Sequence, residues 1–312
     1  MRSKVAIVCC SFNLGKYIQA TVESILRQTE NSKQIIIADG ASTDGTLQIL
    51  RKFSGIEVSS KPDSGYVEGF WNGVSLVNAE YITQCCISDG YVDNEWLQIA
   101  CRQLDDNPNL DLIWASPISL NIDGTFGDVS FPNFGTEPFP ENFQMRKFWM
   151  LTGFHFPEGN FVARKEVFLN CFPSLSDYQN VVMEPYLEFS YNFHKEKLNS
   201  MRIPRVVNYG RSHDGQLTQQ EIENTKKWQF QKRYQVQILD TLREEISEHG
   251  VADFLKNFRF YFASYFGVRS RMANTSYMME VDRITKVFLA LQVRFFSCLA
   301  SISIPRAYRS FV

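Results

Sequence analysis

Gln34-Ile-Ile-Ile-Ala38 runs without a break into Asp39-Gly-Ala-Ser-Thr-Asp-Gly45. A short, wholly apolar run that stops in a cluster of Asp, Gly and Ser reads as a strand buried on both faces, ending in a tight polar loop. The flanks repeat the pattern. Upstream, Lys4-Val-Ala-Ile-Val-Cys-Cys10 is a second such strand, followed by the loop Ser11-Phe-Asn-Leu-Gly-Lys16. Residues 17–27 then carry Ile18, Val22, Ile25 and Leu26 at helical spacing. Downstream, a helix is expected over 46–53, a strand over 55–59, a helix over 68–77 and a strand over 81–87. Asp93 is placed to cap a helix over 95–104, and a fifth strand is expected over 110–115. Strand–helix alternation of this kind predicts an α/β fold, a mostly parallel sheet with helices on both faces.

The chain has 312 residues, 44% of them hydrophobic and 21% charged, which is globular composition. A net charge of −2 leaves no basic footprint, so nucleic acid is not an expected partner. The seven cysteines form no CxxC, and with only four histidines no zinc-ligand spacing exists; buried reduced thiols are expected. The opening apolar run is too short for a signal-peptide core, and no uncharged apolar run reaches the ~18 residues of a membrane span. The expected compartment is therefore the cytoplasm. Composition shifts after about residue 116: of 26 Phe, only Phe12, Phe53, Phe70 and Phe126 precede residue 131. Residues 117–140, rich in Gly, Pro, Asn and Asp, read as a long loop. The expected organisation is a sheet domain over 1–220, divided at 116, and a helical extension over 221–312.

Ligands of open parallel sheets bind beyond the carboxyl ends of the strands. The residues that follow the strands here are Ser11 and Asn13, then Asp39 and Gly40, then Lys61 and Asp63, then Ser88, Asp89 and Gly90. Small, acidic and amide-bearing groups thus recur at four successive strand ends, which marks that edge as the expected site.

Three long stretches carry a resemblance. Ser11-Phe-Asn with Thr21-Val-Glu-Ser-Ile-Leu-Arg-Gln-Thr29, Ile35-Ile-Ile-Ala-Asp-Gly-Ala-Ser-Thr-Asp-Gly-Thr46, and Lys61-Pro-Asp-Ser-Gly-Tyr with Trp71-Asn-Gly73 resemble, in order and spacing, family-two glycosyltransferases. Those are inverting enzymes of the GT-A fold that use nucleotide sugars. The resemblance is dense over residues 4–91, thins out to about 218 and says nothing of the last hundred residues. It implies a nucleotide-sugar donor, UDP-linked, and a hydroxyl acceptor on a glycan or lipid-linked glycan. Asp39 would contact the nucleotide and Asp63 approach the base; Asp44 reads as a helix cap. The family's metal motif corresponds to Ile87-Ser88-Asp89-Gly90, where only Asp89 keeps an acidic group to hold Mn²⁺ or Mg²⁺.

Inverting transfer needs a base for the acceptor hydroxyl. The family's acidic pair falls on Glu184-Pro185, so Glu184 is the expected base and Asp177 the reserve, although Glu184 equally suits a helix N-terminus. Gly159-Asn-Phe-Val-Ala-Arg-Lys165 resembles the strand lining the acceptor side, and Arg211-Ser-His-Asp-Gly-Gln-Leu-Thr218 a loop from which His213 would reach the diphosphate or metal. Departures at Gly90 and Pro185 keep a second reading open, a degenerate module that binds a nucleotide sugar without turnover.

Residues 251–312 hold nine Lys and Arg against three Asp and Glu, a local charge of +6, with Val287, Phe288, Leu291, Phe295 and Leu299 at helical spacing. Such a basic amphipathic tail suits either a peripheral contact with an anionic inner membrane face or packing against the catalytic domain or a second copy.

Overall fold

The computed structural model describes residues 2–129, 144–178, 185–213, 221–278, 283–305 and 308. It divides into two compact units: 1–138, 156–186 and 198–216 form the first, and 139–155, 187–197 and 217–312 the second.

The first unit is built on strands β1 (Ser3–Ser11), β2 (Lys33–Asp39), β3 (Glu57–Ser60), β4 (Ala79–Gln84), β5 (Gly90–Tyr91), β6 (Leu112–Leu120), β7 (Phe126–Val129), β8 (Phe161–Arg164) and β9 (Ser200–Arg211). Their order in one sheet is β3-β2-β1-β4-β8-β6-β9-β5, with β7 paired to β6. The first four strands are parallel, as the strand–helix alternation predicts. Beyond β4 the sheet becomes mixed: β8 is antiparallel to both neighbours, while β6 and β9 are parallel to each other.

Alternating residues of β1 serve opposite layers. Val5, Ile7 and Cys9 pack with Ile18, Val22 and Ile25 of α1 (Gly15–Leu26) and with Trp96 and Leu97 of α4 (Trp96–Asp106). The other face holds α3 (Tyr66–Val74) so closely that a Cβ on Gly73 would lie 2.6 Å from Val8. Asp44 is the cap expected of it: Oδ1 accepts from the Thr46 N–H opening α2 (Thr46–Leu50), and Oδ2 accepts from the Gly15 N–H opening α1. Asp93 accepts the Glu95 N–H just before α4.

The expected loop over 117–140 is corrected in its first part. β6 continues through Pro117 to Leu120 and turns back through β7, and Pro117 is accommodated because the pairing of β6 with β9 shifts register there. The rest, 130–140, lies outside the described residues. Arg164 and Lys165 are not solvated charges: Arg164 donates to the Leu104 and Leu110 carbonyls, and Lys165 to that of Val77. Helices α6 (Lys165–Cys171) and α7 (Leu175–Tyr178) complete this unit's described elements. The seven cysteines are free thiols: Cys9, Cys85, Cys101 and Cys171 are buried as expected, whereas Cys10 and Cys86 are only partly buried and Cys298 is exposed.

The second unit is helical: α5 (Met145–Thr152), the part of α8 (Pro185–Lys195) from Leu187 onward, α9 (Glu221–Lys256), α10 (Phe258–Met278) and α11 (Arg283–Ser303). The α9 axis breaks at Gly250, whose φ is +74°. Polar bonds run through this unit. Trp149 Nε1 donates to Tyr234 Oη, Tyr234 Oη donates to the Phe154 carbonyl, and Arg271 donates to Gln235 and the Leu151 carbonyl.

Candidate functional site

The parallel strands deliver the acidic and amide residues to one edge of the sheet. Ser11 and Asp39, the last residues of β1 and β2, are paired in register. Asp39 is buried and has three donors: Ser42 Oγ at 2.6 Å, the Ser42 N–H at 2.9 Å and Ser60 Oγ at 2.8 Å. Asp63, half-buried after β3, accepts the Gly65 N–H at 3.0 Å. Burial raises its pKa, and the negative charges of Glu68 and Asp39 add to the effect. Gly40 lies between the two carboxylates. A Cβ there would stand 3.0 Å from Asp63 Oδ2 and 3.3 Å from the ring of Phe12, so only glycine leaves that space open.

Asn13 acts mainly as a staple. At φ +54°, a conformation Asn tolerates, it accepts the Thr43 N–H through Oδ1 and donates its own N–H to Ser42, joining the loops after β1 and β2. Lys61 donates its backbone N–H to the Asp39 carbonyl, and its side chain is exposed. Phe12 is 62% exposed, its large apolar ring beside Gly40.

The loop after β4 places Asp89. Ser88 is strained, with φ at +123°. Asp89 Oδ1 accepts the Arg211 N–H at 3.0 Å and Ser88 Oγ at 3.3 Å, while the Arg211 Nε–H donates to the Ser88 carbonyl at 2.9 Å. Burial pushes the Asp89 carboxyl up to about 7; the Arg211 N–H pulls it back, and the charge of Glu158 adds to the rise. Arg211 lies over the rings of Tyr17 and Tyr209, and His213 packs on Tyr17 with ring centroids 4.7 Å apart. His213 and Asp89 thus both belong to the surroundings of Arg211.

The two missing acids of the metal motif have physical reasons. Ile87 is 3% exposed and belongs to the core. At Gly90, a Cβ would meet Tyr209 Oη at 2.7 Å and Ser24 Oγ at 2.8 Å. Among the described residues no three His, Cys, Asp or Glu side chains gather round one point. Asp89 offers a hard carboxylate oxygen suited to Mg²⁺ or Mn²⁺, and the other ligands of such an ion would be diphosphate oxygens and water.

Glu158 is a residue the sequence reading missed. One of its oxygens accepts from Tyr66 Oη at 2.9 Å, Gln84 Nε2 at 2.9 Å and Cys86 Sγ at 3.1 Å, although the residue is exposed. Around it, Gln84 Oε1, Asn160 Oδ1 and Asn208 Oδ1 are buried with no hydrogen-bond partner among the described residues, as is Ser11 Oγ. Asn160 Nδ2 donates to the Glu158 carbonyl, and a Cβ on Gly159 would stand only 3.3 Å from Asn208 Nδ2 and from the Gln84 carbonyl. Acceptors of this kind fit the hydroxyls of a polyol. A lone Glu before a strand gives no sequence signal; only the fold brings these amides to it.

Of the expected base residues, Asp177 is on α7 with its side chain outside the described residues, and Glu184 lies wholly outside them.

A parallel nucleotide-binding half-sheet with acidic groups at its strand ends, continued by a mixed half, is the GT-A arrangement. The chain belongs to glycosyl transferase family 2, whose pattern it matches over residues 6–172. It is 26% identical over 163 residues to a chondroitin synthase of Pasteurella multocida, a match covering 50% of this chain and 17% of that protein. In structure it is similar to S. aureus TarS 1–349 in complex with UDP-GlcNAc, with a TM-score of 0.59 at 13% identity, covering 94% of this chain and 90% of that one. It is also similar to the mannosyltransferase PcManGT of Pyrobaculum calidifontis in complex with GDP-Man and Mn²⁺, with a TM-score of 0.53 at 11% identity, covering 97% and 85%.

Proposed function

We propose that this glycosyltransferase moves a sugar from a UDP-linked donor to a hydroxyl of a glycan or lipid-linked glycan, with inversion and with the help of a divalent cation. The observation that carries the reading is the convergence of Asp39, Asp63, Asp89 and Arg211 on one sheet edge beside a group of unpartnered amide oxygens. TarS, with UDP-GlcNAc, and PcManGT, with GDP-Man and Mn²⁺, support the donor class and the cation.

Asp39 and Asp63 hold the uridine through its N–H and ribose hydroxyls, and Phe12 stacks on the base. Glu158, Gln84, Asn160 and Asn208 take the hydroxyls of the donor sugar. Arg211 and His213 face the diphosphate, and Asp89 would hold the cation, which supplies countercharge to the leaving nucleotide. The acceptor oxygen attacks the anomeric carbon as the bond from that carbon to the diphosphate breaks, and the bonding pair leaves with the nucleoside diphosphate. The acceptor proton passes to a carboxylate, Glu184, with Asp177 in reserve.

Calorimetric titration with UDP, GDP and CDP tests the donor assignment. Binding selective for UDP and weakened in Asp63→Asn supports it. Equal binding of all three nucleotides would contradict the assigned uridine contacts.

A further inference from the structure

Helix α11 has two apolar faces; among the described residues one packs on α10 and the other is exposed. Against α10 it sets Phe296, stacked on Phe266 with centroids 5.9 Å apart and lying under Arg269, and Ser297, whose Oγ lies 2.7 Å from Ser270 Oγ. The other face carries Ile284, Val287, Phe288, Leu291, Phe295 and Ile302, which are 58 to 73% exposed. Their spacing, steps of 3, 1, 3, 4 and 7 residues, keeps them on a single stripe along the helix. Phe258, Phe262 and Tyr265 are exposed on α10 at the same kind of spacing. The stripe stays exposed among the described residues, and apolar area of this extent calls for an occupant.

Charge identifies the occupant. Together α10 and α11 contain six Lys and Arg and no Asp or Glu, with Glu280 and Asp282 in the sequence between them; Arg271 is turned into the unit, while Arg259, Lys286 and Arg294 are exposed. A second copy meeting this patch through a two-fold axis would set the basic groups against one another, whereas an anionic surface would neutralise them. By length and composition Ile284–Ser303 would also suffice to cross a bilayer. Two features favour lying on it instead: Lys286 and Arg294 interrupt the apolar sequence, and the opposite face is occupied by α10 through polar as well as aromatic contacts.

We propose that the exposed stripe of α11, with the aromatics of α10, docks on the surface of an anionic lipid bilayer, its apolar side chains entering the headgroup region and its basic residues engaging lipid phosphates. This surface belongs to the helical unit, and the proposal does not depend on the donor or the chemistry assigned above.

The test is flotation of the full chain with vesicles of phosphatidylcholine alone and of phosphatidylcholine with phosphatidylglycerol, at low and high salt, with light scattering to give the oligomeric state. The expected result is binding to the phosphatidylglycerol vesicles only, reversed by high salt, from a chain whose oligomeric state does not depend on the stripe. Arg294→Gln should weaken partitioning about fivefold. The double variant Phe288→Ser with Leu291→Ser should weaken it at least about tenfold, with near-ultraviolet dichroism and UDP binding retained. Three outcomes would overturn the proposal: no binding, or equal binding to neutral vesicles; binding that high salt cannot release, as for a spanning helix; or a dimer that the double serine variant converts to monomer.

Discussion

Replacing Asp89 by Asn should stabilise the ligand-free protein while abolishing its activity. The carboxyl is held mostly by groups that an amide oxygen also satisfies: Oδ1 accepts the Arg211 N–H and Ser88 Oγ. What the Asn loses is the charge. Burial raises the Asp89 pKa from 3.8 to about 7, so the folded state resists ionisation that the unfolded chain accepts freely. The sign follows. Below about pH 4 both states are protonated and Asp89 has no electrostatic effect; between pH 4 and 7 the unfolded chain releases its proton first and stability falls; above pH 7 the deficit is constant. At 1.36 kcal/mol per unit the deficit approaches ~4 kcal/mol, and the partial exposure of Asp89 reduces it to ~2 kcal/mol. Urea unfolding of both proteins without added metal at pH 4 and pH 8 measures it. The variant should match the wild type at pH 4, exceed it by ~2 kcal/mol at pH 8, and turn over donor at a small fraction of the wild-type rate. A variant less stable than the wild type at pH 8 would refute the reasoning, because the carboxylate would then be a structural anchor rather than a charge kept for a ligand.

Gly90→Ala should destabilise by about 1–3 kcal/mol, because its Cβ meets the Tyr209 hydroxyl and Ser24. Tyr209→Phe should recover part of the loss in a double-mutant cycle by thermal unfolding; strict additivity would mean the collision is not the cause. Glu184→Gln should lower kcat by roughly 10²–10⁴ with UDP affinity nearly unchanged, and a larger loss in Asp177→Asn would move the base to that residue. Phe12→Ala should weaken UDP binding about tenfold without lowering Tm, since the ring is exposed and supports no core.

The strand-end logic was legible because it is local. Buried strands β1 and β2 are continuous apolar runs, Asp39 closes β2, and Asp63 and Asp89 come three and five residues after β3 and β4, so position in the sequence is enough to place them near one edge. The antiparallel half was not. β8 is four residues long with no alternating pattern, and β6 passes through Pro117, normally a strand breaker, because a register shift removes the need for its N–H. The two segments 139–155 and 187–197 cluster with the C-terminal helices although they lie far from them in sequence. Glu158 needed the fold for the same reason: Tyr66, Gln84 and Cys86, which hold it, come from elements 72 to 92 residues away. Gly90 looked like a loss of metal-binding character; the proximity of Tyr209 shows that no larger residue fits.

The most direct test of the account is the fate of the anomeric carbon. The wild-type chain should be incubated with a panel of UDP-linked α-sugars, Mn²⁺ and hydroxyl acceptors including lipid-linked glycans, with UDP release measured against product and the new linkage read by proton NMR. The account requires equimolar UDP and a β-linked product, with both lost on chelation and in Asp89→Asn. A product that keeps the α configuration, or a bound donor that releases no UDP with any acceptor, would contradict it.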